Sequence, residues 1–170
     1  MKAHSAVRAG HFLVLLCLVA AEGKKSPAGK QSCRRGLLSQ VTENLYLKAA
    51  SLKSAVPKDL IKNTRLLKKT TKMLFMTNCS VRDQLLSFYV RNVFSHLGGR
   101  SDKLYVISAF QVLQANMNAC HPCAPSTRLS AAVRRLKKTV LKLGERGIYK
   151  AIHELDILLP WIQAYIQAIV

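Results

Sequence analysis

The apolar positions recur at helical intervals along most of the chain. Over the last 24 residues, Gly147 to Val170, they fall at Ile148, Ile152, Leu155, Leu159, Ile162, Ile166 and Ile169, a 4–3 alternation without interruption. That spacing predicts a helix with one continuous buried stripe, which needs partner helices to cover it. Leu158, Trp161 and Tyr165 widen the stripe. Pro160 removes one backbone donor, so a bend is expected near Asp156 to Leu159. Leu38, Val41, Leu45, Ala49 and Leu52 predict a first helix that ends before Pro57. Leu60, Leu67 and Leu74 predict a second, from Asp59 to about Phe75. Ser80 and Asp83 fit a capping box opening a third, which runs to Gly98-Gly99. Val106, Phe110, Leu113 and Met117 mark a fourth, capped by Ser101 or Asp102. Leu129, Val133, Leu136, Val140 and Leu143 mark a fifth, closed by Gly144, and the last is expected to start after Gly147.

No β-branched alternation argues for a strand and no repeat is visible. The expected fold is all-α, a bundle of about six helices.

Composition adds a compartment. Lys2 and Arg8 precede the apolar run Phe12 to Ala20, which is too short for a stable membrane span and is followed by small residues. Residues 1–21 are expected to be a signal peptide, 22–32 a flexible basic tail and 33–170 the helical domain of a soluble, secreted protein. Cys33, Cys79, Cys120 and Cys123 then remain in an oxidising compartment, where an even count favours two disulfides; four cysteines allow three pairings. Cys120-His121-Pro122-Cys123 has the spacing of a redox motif, but helical patterns on both sides replace the strand that such a motif requires. A zinc site there lacks a fourth ligand. Asn78-Cys79-Ser80 is a glycosylation sequon whose middle cysteine competes through its disulfide, so occupancy is doubtful.

Charge adds a second theme. The chain carries +19, or +17 once Lys2 and Arg8 leave with the leader. Lys58, Lys62, Arg65, Lys69 and Lys72 repeat at helical intervals and predict a basic stripe, and Arg128, Arg135, Lys138 and Lys142 predict another. Such rows attract polyanions, among them DNA, heparan sulfate and bacterial membranes. The eight acidic residues are scattered, and no GxSxG, HExxH or P-loop occurs. His153 stands alone and is expected at the rim of its helix. The chain is not expected to be an enzyme or to carry a metal or cofactor.

Secreted, all-helical and disulfide-bridged, the chain ends in Gly147-Ile-Tyr-Lys-Ala151 followed by Glu154-Leu-Asp-Ile157. This pair of motifs resembles the terminal signature of the interleukin-10 family of class II helical cytokines. Arg65-Leu-Leu-Lys-Lys69, Leu74-Phe-Met76, Asn78-Cys79 and Gln84-Leu-Leu-Ser-Phe88 extend the resemblance, which covers Cys33 to about Tyr165. It implies a six-helix cytokine bundle with bridges Cys33–Cys120 and Cys79–Cys123. It implies a ligand that clusters a two-chain class II receptor to trigger JAK-STAT signalling. The branch resembled implies the interleukin-20 receptor alpha chain with the interleukin-10 receptor beta chain. The family's receptor-contacting segments imply that Lys53, Glu154 and Asp156, which match its contact residues in type, lie at the interface; the alternative for Glu154 and Asp156 is ordinary solvated charge on the outer face of the last helix. Tyr46, Pro57 and Pro160 depart from the charged or polar residues the family has there. Some members form dimers that exchange their last two helices; the short connection from Cys120 to Ser126 favours packing on the same chain, leaving monomer and homodimer both open. The alternative function is a primarily cationic antimicrobial, DNA- or heparin-binding effector.

Overall fold

A computed structural model of the chain describes residues 33–58, 61, 63–98, 101–124 and 126–169. The expected leader (1–21) and basic tail (22–32) lie outside the described residues, as does Lys62. Among the described residues there are seven α-helices and no strand: α1 (Arg35–Ala55), α2 (Lys69–Thr77), α3 (Cys79–Phe88), α4 (Ser101–Cys120), α5 (Ala131–Leu143), α6 (Glu145–His153) and α7 (Leu155–Ala168). Residues 34–170 form one compact unit.

The stripes bury as their spacing requires. Leu38, Leu45, Ala49 and Leu52 of α1, Val106, Phe110, Leu113 and Met117 of α4, and Val133, Leu136 and Val140 of α5 are all buried. α1 packs against α4, α6 and α7; α5 packs against α3 and α6; α2 packs against α3 and α7. The last helices thus lie on their own chain. An aromatic cluster fills the centre: Tyr89, Phe94 and Phe110 are fully buried, and the Phe94 and Phe110 rings meet edge to face at 5.0 Å. α1 stops as expected, with Val56 extended (φ −105°, ψ 157°) ahead of Pro57.

Four boundaries differ from expectation. The second helix covers only Lys69–Thr77, because the backbone amides of Leu66 and Leu67 and the carbonyl of Ile61 bond to side chains far away in sequence. α3 is capped by Asn78 rather than Ser80: the Asn78 side chain accepts the Val81 N–H at 3.1 Å, and the helix begins at Cys79. α3 also ends early, at Phe88, and the chain continues as a π turn (Tyr89–Val93) and a 3₁₀ turn (Phe94–His96). The expected single last helix is two. α6 begins at Glu145, not after Gly147, and Glu154 (φ −78°, ψ 3°) separates it from α7, six residues before Pro160.

The α5–α6 corner depends on two glycines. Gly144 has φ 64°, a conformation L side chains rarely adopt. A Cβ on Gly147 would stand 2.6 Å from the Val140 carbonyl oxygen, so only glycine lets α6 approach α5 this closely. α5 itself starts at Ala131, with Ser130 accepting the Val133 N–H at 3.2 Å.

A disulfide joins Cys79 at the start of α3 to Cys123 after α4, with 5.7 Å between the Cα atoms. Cys33 and Cys120 are each disulfide-bonded as well.

Candidate receptor-binding face

The C-terminal half of α1, the segment before α2 and the α6–α7 break come together on one side of the bundle. Two of the three expected receptor residues meet there. Lys53, in the last turn of α1, forms an ion pair with Asp156, in the first turn of α7. The Asp156 side chain is 65% exposed and that of Lys53 25%. Two turns further along α7, Gln163 accepts the Tyr46 hydroxyl at 3.2 Å. Burial and the nearby Asp156 charge both push the Tyr46 phenol up, so it stays a neutral donor.

Glu154 lies deeper in the fold than Asp156. It is 6% exposed rather than a solvated outer charge. Its carboxylate accepts the backbone N–H of Leu66 at 2.9 Å and of Leu67 at 2.8 Å. Lys150, one turn earlier and 4% exposed, lies 3.7 Å from that carboxylate and donates to the Ile61 carbonyl. His153 donates from Nε2 to the Pro57 carbonyl at 2.8 Å, since a carbonyl can only accept. Three side chains of the α6–α7 break therefore hold the backbone of the segment between α1 and α2. A buried carboxylate is tolerable here because two amides and an ammonium satisfy it. Glu154 thus shapes the face from beneath.

The rest of the segment is outward. Lys58, Arg65, Lys68, Lys69 and Lys72 are exposed. Because residues 63–68 are not helical, the first basic stripe is not the regular row that its spacing suggested; among its described residues only Lys69 and Lys72 share a helix. The second stripe keeps its regularity for Arg135, Lys138 and Lys142, all exposed on α5, while Arg128 lies in the loop before it.

Sequence reasoning missed the Glu154–Lys150 clamp. The signal available was a Lys–Glu pair at i,i+4 with Ile152 and Leu155 of the apolar stripe beside it. Among the described residues no group of His, Cys, Asp and Glu is arranged to hold a metal, and no helix is long and apolar enough to cross a membrane.

Comparison with known proteins agrees with this architecture. A family model described as Interleukin 10 matches residues 11–168. Human interleukin-26 is 44% identical over 163 residues, which is 95% of each chain. Interleukin-10 of Callithrix jacchus is 27% identical over 172 residues, 89% of this chain and 93% of that protein. Interleukin-10 of Sus scrofa is 33% identical over a shorter stretch of 92 residues.

Proposed function

The chain belongs to the interleukin-10 family, whose members are signalling ligands and not enzymes, and on that premise we propose that it is a secreted cytokine that clusters two class II receptor chains and so triggers JAK-STAT signalling. The first receptor chain, of the interleukin-20 receptor alpha type, takes the face formed by α1, the segment before α2 and the start of α7. The observation that carries this reading is the surface charge pair Lys53–Asp156 beside a segment pinned by buried side chains. A pinned backbone presents its contacts without an ordering penalty, which raises affinity. The second chain, of the interleukin-10 receptor beta type, takes the α1–α4 surface. There Leu47 and Leu104 are 73% and 68% exposed, and the Lys48 ammonium lies 5.3 Å from the centre of the Tyr105 ring. Exposed apolar and aromatic side chains are what interface centres are made from.

The test is surface plasmon resonance of the secreted chain against the two receptor ectodomains, singly and together, with STAT phosphorylation in cells bearing both. Binding to neither ectodomain overturns the assignment.

A second reading rests on a separate observation, the three cations in line on α5 and the exposed cluster Arg65, Lys68, Lys69 and Lys72. These surfaces bind polyanions such as DNA and heparan sulfate, and anionic bacterial membranes, by electrostatics alone. The α5 surface lies outside the receptor face, whereas Arg65 and Lys68 belong to the segment before α2 that the receptor takes, so α5 is the surface on which both activities fit one molecule at once.

A further inference from the structure

Two adjoining cavities run between α3 with its π turn and the α5–α6 corner, sharing Phe88, Asn92 and Lys137 as common wall. One, of about 330 Å³, is mainly apolar, with Phe88, Val140, Leu141 and Ile148 among its walls. That volume lies at the lower end of the range of small-molecule sites, about 300–1,000 Å³. The other, of about 250 Å³, is polar and includes Ser87, Arg91 and Thr127. Lys137 stands at the junction. It is half-buried and has no hydrogen-bond or ion-pair partner among the described residues. Leu141, one turn on, is 79% exposed at the rim.

The charged groups around the furrow are arranged asymmetrically. Arg91 lies on the polar side with Asp83, whose carboxylate is already engaged by Gln114 at 3.0 Å. His96 and Glu145 border the apolar chamber. Glu145 follows Gly144, which stands two turns of α5 beyond Lys137, about 10 Å by helical rise. An apolar slot thus has an unpaired ammonium at one end, where the nearby Asp83 carboxylate is taken by Gln114, and the Glu145 carboxylate at the other. We infer that this furrow binds a long-chain fatty carboxylate, its head on Lys137 with Arg91 behind and its chain along Phe88, Val140 and Ile148. The pairing supplies Lys137 with an anion and covers apolar wall that water now wets.

The experiment titrates the full secreted chain with cis-parinaric acid, a fluorescent fatty carboxylate, below its micelle concentration. Saturable binding of one molecule per chain is expected. Lys137→Ala should weaken it about tenfold, equivalent to about 1.4 kcal/mol. Leu141→Asp, at an exposed position that folding tolerates, should weaken it as well. Lys142→Ala removes the same charge from the same helix outside the furrow and should leave binding unchanged. An alkyltrimethylammonium ion of equal chain length should fail to compete. Absence of saturable binding, equal loss in the Lys142 and Lys137 variants, or equal competition by the cation each overturns the assignment.

Discussion

The Glu154 carboxylate accepts the backbone N–H of Leu67 at 2.8 Å across 87 positions of sequence. With the neighbouring bond to Leu66 it closes the non-helical segment before α2 onto the α6–α7 break. A helix through residues 59–75 would use those amides internally. The carboxylate outcompetes that helix because charge-assisted bonds in a buried site are roughly twice as strong as neutral ones.

Removing the carboxylate should therefore be costly. Glu154→Ala leaves two buried amides without their acceptor and takes from Lys150 its charge partner, while the Lys150 bond to the Ile61 carbonyl stays. We expect a loss of about 3–5 kcal/mol in urea denaturation, the range for breaking a buried pair. Glu154→Gln keeps one acceptor oxygen and should lose less. Receptor affinity should fall in both through loosening of the segment, and hydrogen exchange at Leu66 and Leu67 should rise. A Glu154→Ala protein of unchanged stability and exchange would refute the clamp.

The two buried tyrosines should part company. Tyr89 donates to the Ala151 carbonyl at 3.0 Å, whereas the Tyr165 hydroxyl is buried without a partner among the described residues. Tyr89→Phe should lose about 1 kcal/mol, while Tyr165→Phe should be neutral or slightly stabilising, since it keeps the ring 3.7 Å from the Arg82 guanidinium. Burial pushes both phenols up from their ordinary value of 10.0, far more for Tyr89. Their stabilisation is fully present below pH 10.0 and is lost as pH rises above it, because the unfolded phenols then ionise and the folded ones resist. Alkaline unfolding of Tyr89→Phe should begin at a higher pH than that of the parent chain when both are compared relative to their neutral-pH stability.

Much of this architecture was legible in the sequence because the apolar stripes of α1, α4 and α5 are long and regular. Period alone fixes which face is inside. The second helix failed for the opposite reason. Leu60, Leu67 and Leu74 mark one apolar residue every seventh position, too sparse to show where a helix starts, and what ends it is an acceptor in another part of the chain. Glu154 was chosen by family position, and its burial was not legible because it follows from the break in the last helix, which lies ahead of the proline that advertised a bend. Lys53 and Asp156 were chosen by family position, and their pairing depends on how α1 and α7 pack. The furrow between α3 and α5–α6 has no linear signature at all, since its walls come from segments about 50 residues apart.

The second bridge is expected between Cys33 and Cys120. Both are disulfide-bonded, and Cys79 and Cys123 hold each other. Peptide mapping under non-reducing conditions should recover a Cys33–Cys120 peptide. Replacing Cys79 and Cys123 together with Ser should cost about 2–5 kcal/mol. A Cys120–Cys123 peptide as the main species would contradict the pairing.

Asp156→Lys should separate binding from stability. The Lys53–Asp156 pair lies at the surface with its Asp156 end mostly exposed, so its loss should change stability by no more than about 1 kcal/mol. Receptor affinity should fall at least about tenfold if Asp156 sits at the interface centre. The charge-swapped double variant Lys53→Glu with Asp156→Lys restores an intramolecular pair but presents reversed charge to the receptor. It should fold normally and remain impaired. Full signalling by the folded Asp156→Lys protein would take this residue out of the interface.

Polyanion binding should depend most on α5. Arg135, Lys138 and Lys142 share one face of a continuous helix with no acidic residue on it, so all three can lie along a phosphate or sulfate backbone at once. The other cluster is less regular, with Arg65 in a non-helical segment and Lys69 and Lys72 on α2. Neither surface interleaves aromatic residues with the cations, so stacking on bases contributes little and binding should be blind to sequence. Each phosphate neutralised on duplex DNA contributes about −0.9 to the slope of log K against log salt. Replacing Arg135, Lys138 and Lys142 with Gln should flatten that slope by roughly two to three. The corresponding change at Arg65, Lys69 and Lys72 should flatten it less. DNA and heparin binding of the wild type and both triple variants across a salt series measures this. A slope unchanged in the α5 variant would show that this face is not the binding surface. An affinity independent of salt would eliminate the electrostatic mechanism for both.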